Sequence, residues 1–401
     1  MDYSQTTFSR RHFIKALAGS SLVGALSPSM GLAAPNSGAN KKLVVIELSG
    51  ANDGLNTLVP YANDTYYKVR PKIGIAANKV LKIDDGYGFN PGMKAFRELY
   101  GQGQMAIVHG CGYAQPSLSH FTSMAYWHTG VPNGGERYGW LGRLSDALDG
   151  TQRANFLVNI DERQSLAVTA KNHMPLVFDD PDRFIRKGLY QSRSLLGMDH
   201  PLNVSSEVLD YLNRADINAR DASQRIKAAW DGYKTTVDYG INPMGLNKIA
   251  AMIAAGFDSR IYYTSYRHNA FDTHVQQVNL HQRLLMYVSD AVSAFMKDLK
   301  RLGRADDVTI LVFSEFGRRV AENTSLGTDH GTANHMYVIG HNVKGGHYGV
   351  PPSLTDLDEG GNMKYTTDFR RVYASVIDNW FGQNDSQSIL YGDFAKFQFW
   401  G

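Results

Sequence analysis

Apolar residues in this chain come in short unbroken runs as often as they alternate with polar ones. Leu43 to Leu48 (L-V-V-I-E-L) is one such run and Met105 to His109 is another. Runs of this length are what strands covered on both faces require. Asn155 to Ile160, Arg260 to Tyr266, Val308 to Phe313 and Met336 to Gly340 extend the series. Between them the apolar spacing shifts to the helical period. Pro91 to Tyr100, Leu118 to His128 (opened by Pro116 and Ser117) and Met244 to Ala255 (after a turn at Asn242-Pro243) are predicted helices. Leu280, Leu284, Val288, Ala291, Phe295, Leu299 and Leu302 fall on one face of a longer helix. Ser205 to Val237 has helical composition, residues 180 to 202 look loop-like, and Thr367 to Phe381 reads as an amphipathic C-terminal helix. Strands alternating with helices predict an α/β fold: a mostly parallel sheet with helices on both faces.

The N-terminus stands outside this pattern. Ser9 to Lys15 reads S-R-R-H-F-I-K, a weakly apolar run follows from Ala16 to Leu26, and small residues continue through Ala34. These are the basic, apolar and cleavable parts of a secretory signal. Arg10 and Arg11 followed by Phe13 and Lys15 match its twin-arginine form. A merely basic N-terminus leaves the apolar run and the small-residue end unexplained. The chain is therefore expected to divide into a signal peptide (1–34), a polar tether (35–42) and a single domain (43–401), with about 150–260 as an inserted or helical subregion. The expected location is the periplasm or the cell exterior. No later segment is apolar enough over sufficient length to cross a membrane.

Charge and cysteine content exclude several function classes. With 41 basic and 38 acidic side chains the net charge is +3, which gives no electrostatic case for nucleic acid. The lone cysteine, Cys111, rules out an intramolecular disulfide and a thiolate-rich zinc site. It is expected to be a small buried hydrophobe at a strand end. Any metal must then be held by His, Asp, Glu or hydroxyl groups.

Those groups cluster just after predicted strands, where α/β sheets bind ligands. Asp53, between Asn52 and Gly54, either reaches a divalent cation or bonds its own turn. Ser119, in P-S-L-S-H-F, is either a metal-activated nucleophile at a helix N-terminus or a helix cap, and Ser117 is an alternative nucleophile. Asp272 and His274, in F-D-T-H, point to one side of an extended segment, to share a metal or to bond each other. His281, in the following helix, would orient a ligand from behind or pack structurally. Glu315, in S-E-F-G-R, ends a very hydrophobic strand and needs a partner, either a metal or Arg318. Asp329 and His330, in T-D-H-G-T-A-N-H, are a further ligand pair, with Gly331 allowing close backbone approach and His335 a weaker candidate. Trp127, Tyr138 and Trp140 would wall the site or pack in the core. The donor types suit Zn²⁺, Mn²⁺, Mg²⁺ or Ca²⁺.

As a set, S-R-R-H-F-I-K, L-S-G-A-N-D-G-L-N-T-L-V-P, S-H-F, G-W-L-G-R, F-D-T-H, S-E-F-G-R, T-D-H-G-T-A-N and T-D-F-R-R-V-Y resemble the twin-arginine-exported proteins grouped as DUF1501. That family is in turn similar to the alkaline phosphatase and sulfatase superfamily. The resemblance implies an alkaline phosphatase-like core and a metal site drawn from Asp53, Asp272, His274, Glu315, Asp329 and His330. It also implies Ser119 as nucleophile, and in such a hydrolase Arg318 is expected to clamp an equatorial substrate oxygen bidentately. Asp272 and His274 are spaced more closely than the superfamily's ligands, and Glu315 stands where it has an Asp-His pair. Two functions follow: a metal-dependent hydrolase of small-molecule or glycan phosphate or sulfate esters, or a non-catalytic envelope protein that binds an exported protein partner on a degenerate fold.

Overall fold

A computed structural model of the chain describes residues 40–184 and 221–401. The predicted signal peptide, residues 35–39 of the tether, residues 185–202 of the loop-like stretch and residues 205–220 of the Ser205–Val237 segment lie outside the described residues.

Among the described residues the main sheet has nine strands. They are β1 (Lys42–Leu48), β2 (Met105–Gly112), β3 (Leu157–Ile160), β4 (Leu176–Phe178), β5 (Ile261–Tyr266), β6 (Val308–Phe313), β7 (Asn334–Gly340), β8 (Gly346–Tyr348) and β9 (Thr367–Asp368). Their order is β8-β2-β7-β6-β1-β5-β3-β4, with β9 also paired to β2. Every pairing is parallel except the two made by β7, which runs against β2 and β6. The sheet is therefore mostly parallel, with one reversed strand inside it. Because β7 is reversed, its first residues lie at the same edge as the last residues of its neighbours.

The unbroken apolar runs are explained by burial on both faces. All seven residues of β1 and all six of β6 are buried. Val44, Ile46 and Leu48 point into one core with Ile310 and Val312, while Leu43 and Val45 point into the other with Leu311 and Phe313. A one-turn helix after β1, α1 (Gly54–Thr57), precedes the larger helices, and the first core is closed by α2 (Lys94–Gly101), α5 (Leu246–Ala254) and α6 (Gln277–Arg301). The second is closed by α3 (His120–Thr129), α4 (Trp140–Leu148) and α7 (Arg370–Ser375). The one polar residue in the β1 run, Glu47, is matched within the second core by His128 Nε2 at 2.6 Å and by the Tyr263 hydroxyl.

Trp127 and Trp140 belong to this second core, stacked on Phe369 and Tyr373, so they do not wall a site. Cys111 is fully buried in β2, as expected. On α6, Leu284, Val288, Ala291, Phe295 and Leu299 face the core, while Leu280 in the first turn is 43% exposed. Among the described residues of 150–260, β3, β4 and α5 are built into the main sheet and its first core. The helix predicted over Thr367 to Phe381 starts later than expected, with residues 370–380 helical. Thr367 pairs with Cys111 in β9, the Asp368 carboxylate accepts the Arg370 N–H at 2.9 Å to open α7, and a π-turn follows over Val376–Trp380.

Phe295 lies fully buried where α6 crosses the first core. Phe295→Ala is expected to cost about 3–5 kcal/mol, measured by urea unfolding.

Candidate metal centre

The strand ends place the polar motifs at one edge of the sheet. The loops that follow β1, β2, β5 and β6 all leave from that edge, and the segment before β7 arrives there. The loop after β2 runs into α3, so that His120 is the first helical residue and Ser119 the N-cap. Gly50 makes the close approach of two loops workable. It has φ +109°, and a Cβ there would lie 2.6 Å from both Asn269 O and Asp272 N.

Three side chains converge in this region. One ligand atom each from His120, Asp272 and His330 lie within 4.8 Å of one another. His120 Nε2 is 3.5 Å from Asp272 Oδ2, and His330 Nε2 is 3.2 Å from Asp272 Oδ1. His274 flanks the group, with Nε2 2.9 Å from Asp272 Oδ1 and 3.0 Å from His330 Nε2.

The outer atoms of the two inner rings set their tautomers. His120 Nδ1 lies 2.7 Å from Glu315 Oε1, and His330 Nδ1 lies 2.8 Å from Leu118 O. A carboxylate and a carbonyl only accept, so both Nδ1 atoms donate. In the neutral rings both Nε2 lone pairs then face Asp272. His120 Nε2 is buried and has no hydrogen-bond partner. Imidazoles held from behind by a carboxylate or a carbonyl are the arrangement of metal ligands. Two imidazoles sharing one ion at bonds of about 2 Å bring their ring centres roughly 4.5–5 Å apart. The centres of His120 and His330 are 4.5 Å apart. The residues present fit a metal ion.

The local electrostatics follow from these contacts. Burial alone would raise the Asp272 carboxyl, but Arg318 and His330 outweigh it and hold it below its usual range. Burial would lower His120, but Glu315 and Asp272 outweigh it and raise it. His330 is lowered by burial, aided by the charges of Arg318 and His120.

The other expected site residues stand around this group rather than in it. Glu315 is fully buried. Its Oε1 accepts from His120 and from the Gly50 N–H (2.9 Å), and its Oε2 from Ser314 Oγ (3.0 Å), so it orients His120 instead of offering a free ligand atom. Asp329 sits behind His274, 3.4 Å from Nδ1. Arg318 does not reach out to clamp a substrate. It is 1% exposed, and its nitrogens donate to Ala51 O, Gly50 O, Thr328 O, Phe271 O and Asp272 Oδ1. Asp53 is also committed elsewhere. It is fully buried, paired with Arg70 at 2.6 Å and bonded by Gln277 and by the Asn56 N–H. His281 packs structurally, donating to Asn52 Oδ1 at 2.8 Å. His120 is the residue the sequence reading passed over. Its signal was present in S-H-F: a histidine near the start of a helix that follows a strand of a mostly parallel sheet.

The model of a family described as "Protein of unknown function (DUF1501)" matches residues 40–390. The chain belongs to the DUF1501 family. A search of curated protein sequences finds no match. Solved structures similar to this DUF1501 chain include the lipoteichoic acid synthase of Listeria monocytogenes, at 10% identity and TM-score 0.42, over 89% of this chain and 76% of that one. A phosphonate monoester hydrolase from Silicibacter pomeroyi is 11% identical with TM-score 0.38, over 86% and 73%. A protein of the alkaline phosphatase superfamily from Vibrio parahaemolyticus is 12% identical with TM-score 0.36, over 77% and 62%.

The Asp53–Arg70 pair generates a pH-dependent expectation. Burial would raise the Asp53 carboxyl, but Arg70 outweighs it and holds it below its usual range. Its stabilising contribution is thus complete above the ordinary carboxylate pKa of about 4 and is lost as pH falls through the depressed value. Arg70→Met leaves a buried charge unpaired and is expected to cost about 3–5 kcal/mol at neutral pH. The gap from wild type should narrow toward acid as Asp53 protonates, measured by urea unfolding across pH.

Proposed function

We propose that this DUF1501 protein is an exported, metal-dependent hydrolase of phosphate or sulfate esters, with Ser119 as the nucleophile. The observation that carries the reading is the convergence of His120, Asp272 and His330, with both imidazole lone pairs aimed at one point. An imidazole-rich donor set suits Zn²⁺ or Mn²⁺ better than Ca²⁺ or Mg²⁺, which prefer oxygen. A bound divalent ion supplies Lewis-acid stabilisation of charge on a non-bridging ester oxygen. His274, 40% exposed and turned toward Asp272 by Asp329, serves as a further donor. Arg318 acts through Asp272, fixing the carboxylate, and Glu315 acts through His120.

Ser119 directly precedes His120 and is exposed, and its hydroxyl does not cap the helix. Ser117 Oγ is already engaged by the Ser119 N–H at 3.2 Å, which favours Ser119 over Ser117. The first-turn N–H groups of α3 and its dipole favour an anionic ester at this position. Ser119 Oγ attacks phosphorus or sulfur, the bond to the ester oxygen breaks, and the alcohol leaves with a proton. The seryl ester is then hydrolysed by water, releasing phosphate or sulfate and restoring the hydroxyl. The S-R-R-H-F-I-K start supports export through the twin-arginine route. Among the described residues no helix is long and apolar enough to cross a membrane.

One observation favours the second reading, a non-catalytic partner of another exported protein. Asp53 is locked in a buried pair with Arg70, and Arg318 is turned onto Asp272 and loop carbonyls instead of facing a ligand. Metal analysis of the protein purified from the periplasm, with p-nitrophenyl phosphate and p-nitrophenyl sulfate as substrates, separates the two. The hydrolase reading expects a bound divalent metal lost in Asp272→Ala, and turnover abolished by a chelator. It also expects Ser119→Ala to cost on the order of 10³-fold or more in kcat. A metal-free protein inactive on both esters sinks it and leaves the assembly role.

A further inference from the structure

A second imidazole cluster lies between β2 and β7, apart from the residues used above. His109 is on β2. His335 is on β7, where the pairing with β2 shifts register between Asn334 and Met336. Such irregularities re-aim a side chain. Gly54 makes room for the His335 ring, since a Cβ there would lie 2.9 Å from His335 Nδ1. His347, on β8, joins from the other side of β2.

The hydrogen-bond directions in this cluster are fixed from one end. His347 Nε2 lies 2.8 Å from Asp84 Oδ2, and Asp84 Oδ1 accepts the N–H groups of Gly86 and Tyr87. The carboxylate accepts, so His347 donates through Nε2 and, when neutral, accepts through Nδ1. His109 Nε2 therefore donates to His347 Nδ1, at 2.6 Å. The two rings are within 16° of parallel with centres 4.9 Å apart, the separation expected when this bond lies in both ring planes. The chain ends on His109 Nδ1, a bare lone pair that is buried without a partner. His335 Nδ1 is likewise buried without a partner. The two residues are 1% and 7% exposed, and both line a cavity of about 30 Å³ walled by Leu55, Leu58, Tyr87 and Leu354.

We propose that His109 and His335 form a second transition-metal site, in which Asp84 and His347 orient His109 and the cavity holds one ion of the Zn²⁺ or Cu²⁺ class. The ring centres of His109 and His335 are 5.1 Å apart, close to the roughly 5 Å of two imidazoles sharing a tetrahedral ion. Metal binding needs neutral rings. Both rings are buried, and burial favours the neutral form. The cavity exceeds the roughly 10–15 Å³ that one small occupant needs. The donors are all nitrogen, which disfavours Ca²⁺ and Mg²⁺. The carboxylate–imidazole–imidazole chain repeats, one ring longer, the outer support that metal-bound histidines receive.

The test is zinc stoichiometry of the full mature chain, stripped with chelator, reloaded with Zn²⁺ and freed of excess by gel filtration. One zinc equivalent is expected to disappear in His109→Gln and in His335→Gln and to survive in Asp272→Ala. His347→Gln removes only the orienting ring, whose side chain is 26% exposed. It is expected to fold and to weaken that equivalent about 10- to 100-fold. Unchanged zinc content in His109→Gln and unchanged affinity in His347→Gln would overturn the proposal, as would a wild-type chain that binds no zinc beyond the equivalent lost in Asp272→Ala. Water alone would then occupy the cavity. Zinc lost only in Asp272→Ala would leave the hydrolase reading standing. Zinc lost only in the His109 and His335 variants would sink that reading and leave this site.

Discussion

The edge of this sheet is held together by one buried guanidinium. Arg318 leaves the loop after β6 and donates to Gly50 O and Ala51 O after β1, to Phe271 O and Asp272 Oδ1 after β5, and to Thr328 O before β7. Loops that end neighbouring strands carry carbonyls with no ladder partner, and burying them unpaired costs about 1–3 kcal/mol each. A planar donor group with fixed directions meets that requirement at several points at once. The Asp272 carboxylate is fixed by the same contact, so the position of the metal-facing oxygens depends on a residue that faces no ligand.

The remaining buried charges follow the same rule. Asp53 has Arg70, Glu315 has His120 and the Gly50 N–H, and Glu47 has His128 and Tyr263. Two of these pairs bracket α3: Glu315 holds its first residue and Glu47 its last turn. A ten-residue helix tied to the sheet at both ends has little freedom to tilt, so His120 keeps its direction. Aromatic stacking of Trp127 on Phe313 and Phe369, in the last turn of the same helix, adds apolar burial beneath it.

Much of the fold was legible in the residues. The apolar runs at Leu43–Leu48 and Val308–Phe313 encode strands buried on both faces, because only such strands tolerate apolar residues at consecutive positions. The motifs after those strands were legible as a group for the same topological reason. Their individual roles were not. Asp53 and Asp272 look alike in sequence, each a carboxylate in a loop after a strand. One meets Arg70, seventeen residues away, and the other meets His330 and Arg318, which arrive from distant strands. Glu315 was readable as needing a partner, yet the choice of His120 depends on how α3 lies across the sheet. The helix predicted over Thr367–Phe381 was placed to begin too early, because the pairing of Thr367 and Asp368 with β2 is a long-range contact that local periodicity does not carry.

The sequence by itself determined the sheet-and-helix alternation, the edge where polar groups collect, and the DUF1501 membership that its motifs spell out. Those properties are local, set by residue spacing and by which side chains tolerate burial. The tertiary structure alone decided which carboxylates face inward to a shared point and which are neutralised by arginine. It also decided that β7 runs backward, bringing His330 to Asp272 and His335 to His109. The reason is physical: a side chain's spacing fixes its face, but its charge state and its partner depend on which other segments fold against it.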